Sequence, residues 1–319
     1  MLDILAITGP IYLTIAIGYL ATRFGLFAKS DMRVFGKFVI NLALPALLFN
    51  ALSQRSVREI MNAQYLGAYA LGSLAVLLAG LAWSHWVGRR SLRESSYLAM
   101  GMSCCNSGFV GYPVVLLTLG PVAGVSLALN MVVENLLLLP ILMLIADMAG
   151  SGRPAKGQWA REIGQTLSRL ARNPMILAIV AGFGYSLLGW HLPGPVARTV
   201  NLFSQASGAV ALFVIGGTLV GLEVKGMRLR VMQIAFGKLI LHPLVMLAVL
   251  LWLVPVADPA LRTAVLITAA MPMLGIYPIL AQKHGQEDVS AAALLVTTIA
   301  SFFTLSLLLW GLKNTSILG

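Results

Sequence analysis

The sequence predicts an all-α protein that crosses a membrane about ten times. Of its 319 residues, 59% are hydrophobic and only 10% are charged, which is outside the usual range of soluble domains. Apolar runs of about 18 to 25 residues separate the charged residues, and helices of that length cross a hydrocarbon core of roughly 30 Å. The alternating pattern of barrel strands does not occur. Broken helices with buried polar groups form the third observation, and they are described below.

The predicted spans divide into two groups of five. The first group lies in residues 1–149, a cytoplasmic linker rich in Gly, Ser, Arg and Lys covers residues 150–172, and the second group lies in residues 173–319. The spans are residues 4–24, 33–52, 63–86, 95–118, 122–148, 173–190, 199–221, 231–254, 260–282 and 288–311.

The distribution of basic residues predicts the orientation. If the amino terminus is outside, 17 of the 22 Lys and Arg residues lie on the inner side and 5 on the outer side. This asymmetry predicts an integral protein of a bacterial inner membrane with both termini on the non-cytoplasmic side. The formal charge of +11 is explained by these short loops, so no nucleic-acid partner is expected. The first run lacks a basic segment before it and is followed by Arg23 and Lys29, which predicts a retained span and not a cleaved signal peptide.

Landmark residues recur at nearly one spacing in the two groups, which indicates an internal repeat. Because five is an odd number, the second copy would enter the membrane from the opposite side, the inverted arrangement of many secondary transporters. The pairs 164 residues apart are Pro10 and Pro174, Gly18 and Gly182, Gly25 and Gly189, and Phe49 and Phe213, while Tyr112 and Tyr277 are 165 apart.

The stretch CNSGFVGYP interrupts the fourth predicted span. It contains Asn106, Ser107, Gly108, Tyr112 and Pro113. A break in hydrocarbon frees backbone polar groups, so it survives only where protein or a wet cavity covers it. The half-helix that follows would direct its positive end toward an anionic ligand, and the amide and hydroxyl groups could bind that ligand. The alternative is a proline kink packed against a neighbouring helix.

A second break, AMPMLGIYP, occupies the matching place in the ninth span, and we expect the two breaks to face each other and form a transport site. Its candidate substrate-contacting residues are Met271, Pro272 and Tyr277, and Pro278 marks its end. It has no carboxylate, so a carboxylate-based sodium site is not evident, although backbone carbonyls could still bind a hard cation. No metal site is expected, since the adjacent Cys104 and Cys105 have no partners at metal-ligand spacing and are interpreted as packing residues.

Ionisable residues inside the spans are candidates for ion coupling, because such residues are costly in a membrane. Glu134 lies one turn after Asn130, and Lys238 lies one turn before His242. Glu134 could carry a proton or only tie helices together; Lys238 could attract an anion or only extend to the membrane surface. For His242, titration and simple packing both stay open. Asn41, near Pro45 in the second span, is a further candidate substrate contact.

The segments NLALPALLF and NSGFVGYPV, together with Pro272 in the second break, resemble the auxin efflux carrier family, in its bacterial malonate-transporter-like branch. The bile acid:sodium symporters are a more distant likeness. The resemblance implies ten helices in two inverted repeats, with the fourth and ninth crossing beside the substrate. It also implies a scaffold domain of helices 1, 2, 6 and 7 that often forms homodimers, and a transport domain of helices 3–5 and 8–10. Asn106 would then bind substrate, while Pro113 and Pro272 would mark the breaks.

These observations predict a non-enzymatic transporter of a small organic anion, such as malonate or a related dicarboxylate, that works by alternating access. No cofactor is expected, and coupling to H⁺ or Na⁺ stays open. The alternatives are a sodium-coupled symporter of a larger organic anion and a membrane sensor or channel. The expected partners are the substrate, membrane lipids and a second copy of the chain.

Overall fold

The computed structural model describes residues 2–54, 62–148, 168, 171–190, 192–222, 227–282 and 285–314. Most of the predicted linker, residues 150–172, therefore lies outside the described residues. The helices are α1 Leu2–Arg23, α2 Asp31–Ser53, α3 Ala63–Val87, α4 Leu92–Ser103, α5 Ser107–Leu119, α6 Val122–Val133 continued by Glu134–Leu138 and Leu139–Met148, α7 Pro174–Leu187, α8 Gly194–Thr218, α9 Arg228–Leu253, α10 Pro259–Ala269, α11 Tyr277–Gln282 and α12 Glu287–Asn314.

The prediction of a helical membrane protein agrees with this architecture. Six of the described helices are long and apolar enough to cross a membrane, namely α2, α3, α6, α8, α9 and α12. Three others, α5, α7 and α10, are apolar but shorter. Within the described ranges, the single β-type contact is one isolated bridge. The count of ten crossings and the inversion of the repeats stay predictions.

Four of the prolines inside the helices follow wide π-helical turns. Proline lacks an N–H group, and its ring clashes with the carbonyl four residues earlier. In four helices that carbonyl lies within a π turn, which widens the backbone there. The turns are Val39–Ala43 before Pro45, Ser107–Gly111 before Pro113, Glu134–Leu138 before Pro140, and Gly237–Leu241 before Pro243. Ser107, Glu134 and Lys238 all lie in such turns.

The helices pack mainly in two sets. In the first set, α8 packs against α1 and α2, and α7 packs against α2. In the second set, α3 packs against α4, α6 and α9, α10 packs against α6 and α9, and α12 packs against α9 and α11. The larger buried core lies mostly in the second set, and a smaller cluster joins α2 and α8 to α6. The two sets meet along α5 and α6, and also where α1 packs against α12.

Two glycines let helices of the first set approach closely. A methyl group on Gly18 of α1 would overlap the carbonyl oxygen of Phe213 in α8. A methyl group on Gly182 of α7 would lie 3.1 Å from the carbonyl oxygen of Phe49 in α2. Gly182 lies 164 residues after Gly18, and Phe213 lies 164 residues after Phe49. The two contacts therefore join members of the landmark pairs recognised in the sequence.

Candidate functional site

The two breaks lie against each other in the middle of the protein. One is Cys104–Asn106, between α4 and α5, and the other follows Ala269, the last residue of α10. Cys105 and Met273 form an antiparallel bridge. The Asn106 N–H donates to the Pro272 carbonyl at 2.9 Å, and the Leu274 N–H donates to the Cys104 carbonyl at 3.3 Å. Each break thus supplies hydrogen bonds that the other lost when its helix ended.

Asn106 both caps a helix and leaves a donor free. Its Oδ1 accepts from the Phe109 N–H at 3.2 Å, and its backbone carbonyl accepts from the N–H groups of Val110 and Gly111. Its Nδ2 is buried without a hydrogen-bond partner and lies against the backbone of Gly275, where a methyl group would be 3.2 Å away. A buried free donor is costly, so this amide is suited to bind a ligand acceptor.

Glu134 lies beside the first break and is 2% exposed. Ser107 and Tyr69 each donate a hydrogen bond of 2.6 Å to its Oε1. Its Oε2 is buried without a hydrogen-bond partner. One oxygen is therefore fixed by two donors, while the other is free to hold a proton or to accept from a further group.

Asn130, one turn before Glu134, belongs to a neighbouring polar cluster. Its Oδ1 accepts from the Tyr65 hydroxyl at 2.9 Å, and its Nδ2 donates to the Thr268 hydroxyl at 3.3 Å. The Tyr65 hydroxyl also lies 2.7 Å from the Ser126 hydroxyl. Since its amide is satisfied on both sides, Asn130 joins α3, α6 and α10 in this conformation.

Lys238 and His242 form a second buried cluster, and both are fully buried. The Lys238 ammonium donates to the Ala269 carbonyl at 2.7 Å and lies 2.9 Å from His242 Nδ1. An ammonium group can only donate, so Nδ1 accepts and Nε2 carries the proton toward Ser73, whose Oγ is 3.1 Å away. The alternative that Lys238 extends to the membrane surface is wrong, because the end of α10 provides a carbonyl acceptor inside the protein.

The two buried ionisable side chains lie at half-helix ends of opposite polarity. The positive end of α5 begins at Ser107, which is hydrogen-bonded to Glu134. The negative end of α10 is Ala269, which is hydrogen-bonded to Lys238. A carboxylate near a helix N-terminus and a cation near a C-terminus are both stabilising, so the arrangement would lower the cost of burying each group in its charged form.

A cavity of about 410 Å³ lies where the two helix sets meet. Tyr112, half-buried, lies in its wall directly after the π turn Ser107–Gly111. Gln54 donates to Asn50 in the same wall at 2.6 Å. Among the described residues that line it, several are polar and none carries a charged side chain, so within this described lining the positive end of α5 is the feature that favours an anion. The lining residues are Leu47, Asn50, Ala51, Gln54, Tyr112, Leu116, Pro121, Gly124 and Ser204.

The other predicted substrate contacts lie at different places around the two breaks. Met271 and Pro272 are buried at the bridge, and Gly108 packs near Leu44. Tyr277 is buried and donates to the Tyr97 carbonyl at 2.7 Å, so its hydroxyl stabilises the junction of α4 and α11.

The prolines Pro113 and Pro278 lie in the helices that follow the two breaks, α5 and α11. Pro113 packs near Gly208, and Pro278 is the second residue of α11. Asn41, by contrast, is exposed on α2 and donates to the Lys37 carbonyl of its own helix at 2.7 Å, so the described contacts do not bring it to the breaks.

Comparison with known proteins decides the class of the molecule. Residues 6–310 match the model of the family described as membrane transport protein. The chain belongs to this family, that of the auxin efflux carriers. It is a family of integral membrane transporters and not of enzymes.

Relatives from bacteria and a plant share this family relationship. A protein of Rhizobium meliloti named "Putative malonate transporter" is 28% identical over 320 residues, covering 99% of this chain and 98% of that protein. The "Uncharacterized transporter YfdV" of Escherichia coli K12 is 30% identical over 252 residues, covering 75% and 76%. "Auxin efflux carrier component 2" of Arabidopsis thaliana is 24% identical over 152 residues, covering 47% of this chain and 23% of that protein.

Several site residues of this transporter were missed from the sequence. Tyr65, Tyr69 and Ser73 lie four residues apart on α3, and each is bonded to one of the buried clusters. Polar residues at that spacing in an apolar helix form one polar face, so the stripe was a usable signal. Among the described residues, no group of three or more His, Cys, Asp or Glu side chains could hold a metal ion.

Proposed function

We propose that this membrane protein is a secondary or facilitative transporter of a small organic anion, a carboxylate such as malonate or a related dicarboxylate. The observation that carries the proposal is the unpartnered, buried Nδ2 of Asn106 at the paired breaks. An amide donor beside the positive end of a half-helix favours a carboxylate. The name of the Rhizobium relative supports malonate as the first substrate to test.

The transport cycle would be alternating access. The first helix set, α1, α2, α7 and α8, would serve as a scaffold, and the second set, α3–α6 and α9–α12, would move with the crossed breaks. This division is supported by the packing of each set and by the cavity between them. Rocking one set against the other would close this cavity and open another on the opposite side.

The repeats and the orientation belong to the same proposal. Two inverted five-helix repeats are supported by the matching contacts of Gly18 with Phe213 and Gly182 with Phe49. The excess of basic residues on one side favours an inner bacterial membrane with both termini outside the cytoplasm. With that orientation the cavity faces outward. A homodimer through the scaffold set would complete the assembly.

Coupling to an ion would involve Glu134. Its free Oε2 could bind a proton on one side of the membrane and release it on the other. Sodium is the competing coupling ion, with backbone carbonyls of the breaks as its ligands. Imposed gradients of pH and sodium separate these two ions.

The test is uptake of labelled mono- and dicarboxylates into proteoliposomes. The wild-type protein should show saturable uptake above that of empty liposomes. Asn106→Ala should reduce uptake about tenfold, since it removes one hydrogen bond to a charged ligand, while the matched Asn314→Ala at the exposed end of α12 should not. The proposal fails if the wild-type protein exceeds empty liposomes under none of the imposed gradients. Flux that never saturates would indicate a channel.

A further inference from the structure

A groove of about 500 Å³ runs between α3, α4 and α9, away from the candidate transport site. Its volume is within the range of about 300–1,000 Å³ that is typical of small-molecule sites. Trp83 and Phe236, which form its rim, are 55% and 61% exposed, so the groove opens outward and not into the core. The lining residues are Ala79, Gly80, Trp83, Met102, Met232, Gln233, Phe236, Gly237 and Leu241.

An arginine is held at the polar end of this groove. Among its described lining residues, the polar groups are the Gln233 amide and the Trp83 ring nitrogen. Arg90 Nη2 donates to Gln233 Oε1 at 2.9 Å. The loop after α3 folds back to place Arg90, because the Gly88 N–H donates to the Trp83 carbonyl and the Arg90 N–H donates to the Ser84 carbonyl. His85 Nδ1 lies 2.9 Å from the Arg90 carbonyl. The guanidinium is thus positioned by the fold of the loop.

One nitrogen of this guanidinium lacks a hydrogen-bond partner. Arg90 Nη1 is buried without a hydrogen-bond partner. Arg230, at the start of α9, forms an ion pair of 3.6 Å with Glu94. Burial, and then the charge of Arg230, lower the pKa of Arg90, whereas the charge of Glu94 raises it. Among the described residues that interact with Arg90 here, Arg90 and Arg230 carry two positive charges against the one negative charge of Glu94, and an anion would neutralise the difference.

From this geometry we infer that the groove binds one anionic phospholipid. One acyl chain lies along the apolar lining, and the phosphate accepts hydrogen bonds from Arg90. The apolar lining alone would fit any lipid, whereas the excess charge and the free Nη1 select a negatively charged headgroup. Trp83 at the rim fits this position, since tryptophan is enriched at membrane interfaces. The inference does not depend on the proposed transport function.

The experiment measures lipid binding to the purified protein by native mass spectrometry after delipidation. Phosphatidylglycerol is compared with phosphatidylcholine of the same acyl chains and with inorganic phosphate. The wild-type protein should retain phosphatidylglycerol preferentially, and phosphate alone should not bind. Arg90→Ala should weaken phosphatidylglycerol binding about fivefold, in line with the contribution of one basic residue near a membrane surface.

Two further variants keep the result interpretable. Ala79→Trp fills the groove from its exposed side and should weaken binding of phosphatidylglycerol without changing any charge. Arg23→Ala removes a charge from the exposed end of α1 and should leave binding unchanged. Equal binding of the two phospholipids would overturn the inference, as would equal losses in Arg90→Ala and Arg23→Ala. Phosphate binding without lipid preference would show an ion site only and would also overturn it.

Discussion

Lys238 donates a hydrogen bond of 2.7 Å to the carbonyl oxygen of Ala269, the last residue of α10. The ammonium group therefore replaces a helical hydrogen bond that the break removed, and its charge opposes the negative end of the helix. His242 contacts this ammonium, and Ser73 in turn contacts His242. The chain of contacts connects α9, α10 and α3 beside the breaks.

Replacing this lysine should destabilise the protein. Lys238→Met keeps much of the side-chain volume but leaves the Ala269 carbonyl and His242 Nδ1 without their donor. Buried groups left unpaired cost about 1–3 kcal/mol each, so the midpoint of thermal unfolding should fall clearly in detergent. Lys37→Met, on the surface of α2, is the matched control and should change little. A midpoint equal to wild type in Lys238→Met would show that this hydrogen bond contributes nothing to stability.

Glu134 provides a test of ion coupling. In Glu134→Gln the amide oxygen can still accept from Ser107 and Tyr69, so the structure of the break should persist. The amide cannot release a proton, so uptake driven by a pH gradient should be lost while substrate exchange continues. Both rates are measured in proteoliposomes, with Asp288→Asn at the exposed start of α12 as the matched control. Continued accumulation against a gradient in Glu134→Gln would exclude a proton-carrying role.

The sequence was sufficient to place the breaks, but not to show what satisfies them. The prolines and glycines of CNSGFVGYP and AMPMLGIYP predict interruptions from local chemistry alone. Which backbone groups pair across the crossing depends on helices about 170 residues apart in the chain, as the bridge of Cys105 with Met273 illustrates. The pairing is a tertiary property, and no local pattern encodes it.

The buried charges illustrate the same limit. The cost of burying a carboxylate in a membrane marked Glu134 as a candidate site residue. It did not indicate which side chains would bind that carboxylate. For Lys238, a long side chain near a predicted helix end suggested extension to the membrane surface, whereas the acceptor lies 31 residues later, at Ala269. Asn41 is polar and close to Pro45, which made it a candidate, yet it lies exposed in the π turn before that proline.

The glycine contacts of the first helix set make a graded prediction about stability. Gly18→Ala would force α1 away from the Phe213 carbonyl and should cost about 1–3 kcal/mol, as overpacking usually does. Gly182→Ala should cost less, because its methyl group would lie 3.1 Å from Phe49. Gly9→Ala, also in α1, meets nothing within 4 Å and should be neutral or stabilising. Thermal unfolding of the three variants is the measurement, and a reversed order would contradict the packing described.

Cysteine labelling tests the orientation and the cavity together. Cys104 and Cys105 are buried, so a membrane-impermeant maleimide should label the wild-type protein poorly. Gln54→Cys, in the cavity wall after the end of α2, should be labelled from the outside of intact cells. The excess of basic residues assigns the loop between α1 and α2 to the cytoplasm, so the opposite end of α2 lies outside. Lys29→Cys, in the loop between α1 and α2, should be labelled only in inside-out vesicles. Labelling of Lys29→Cys from outside would reverse the proposed orientation. Protection of Gln54→Cys by a transported carboxylate would place the substrate in this cavity, since bound substrate excludes the reagent from its walls.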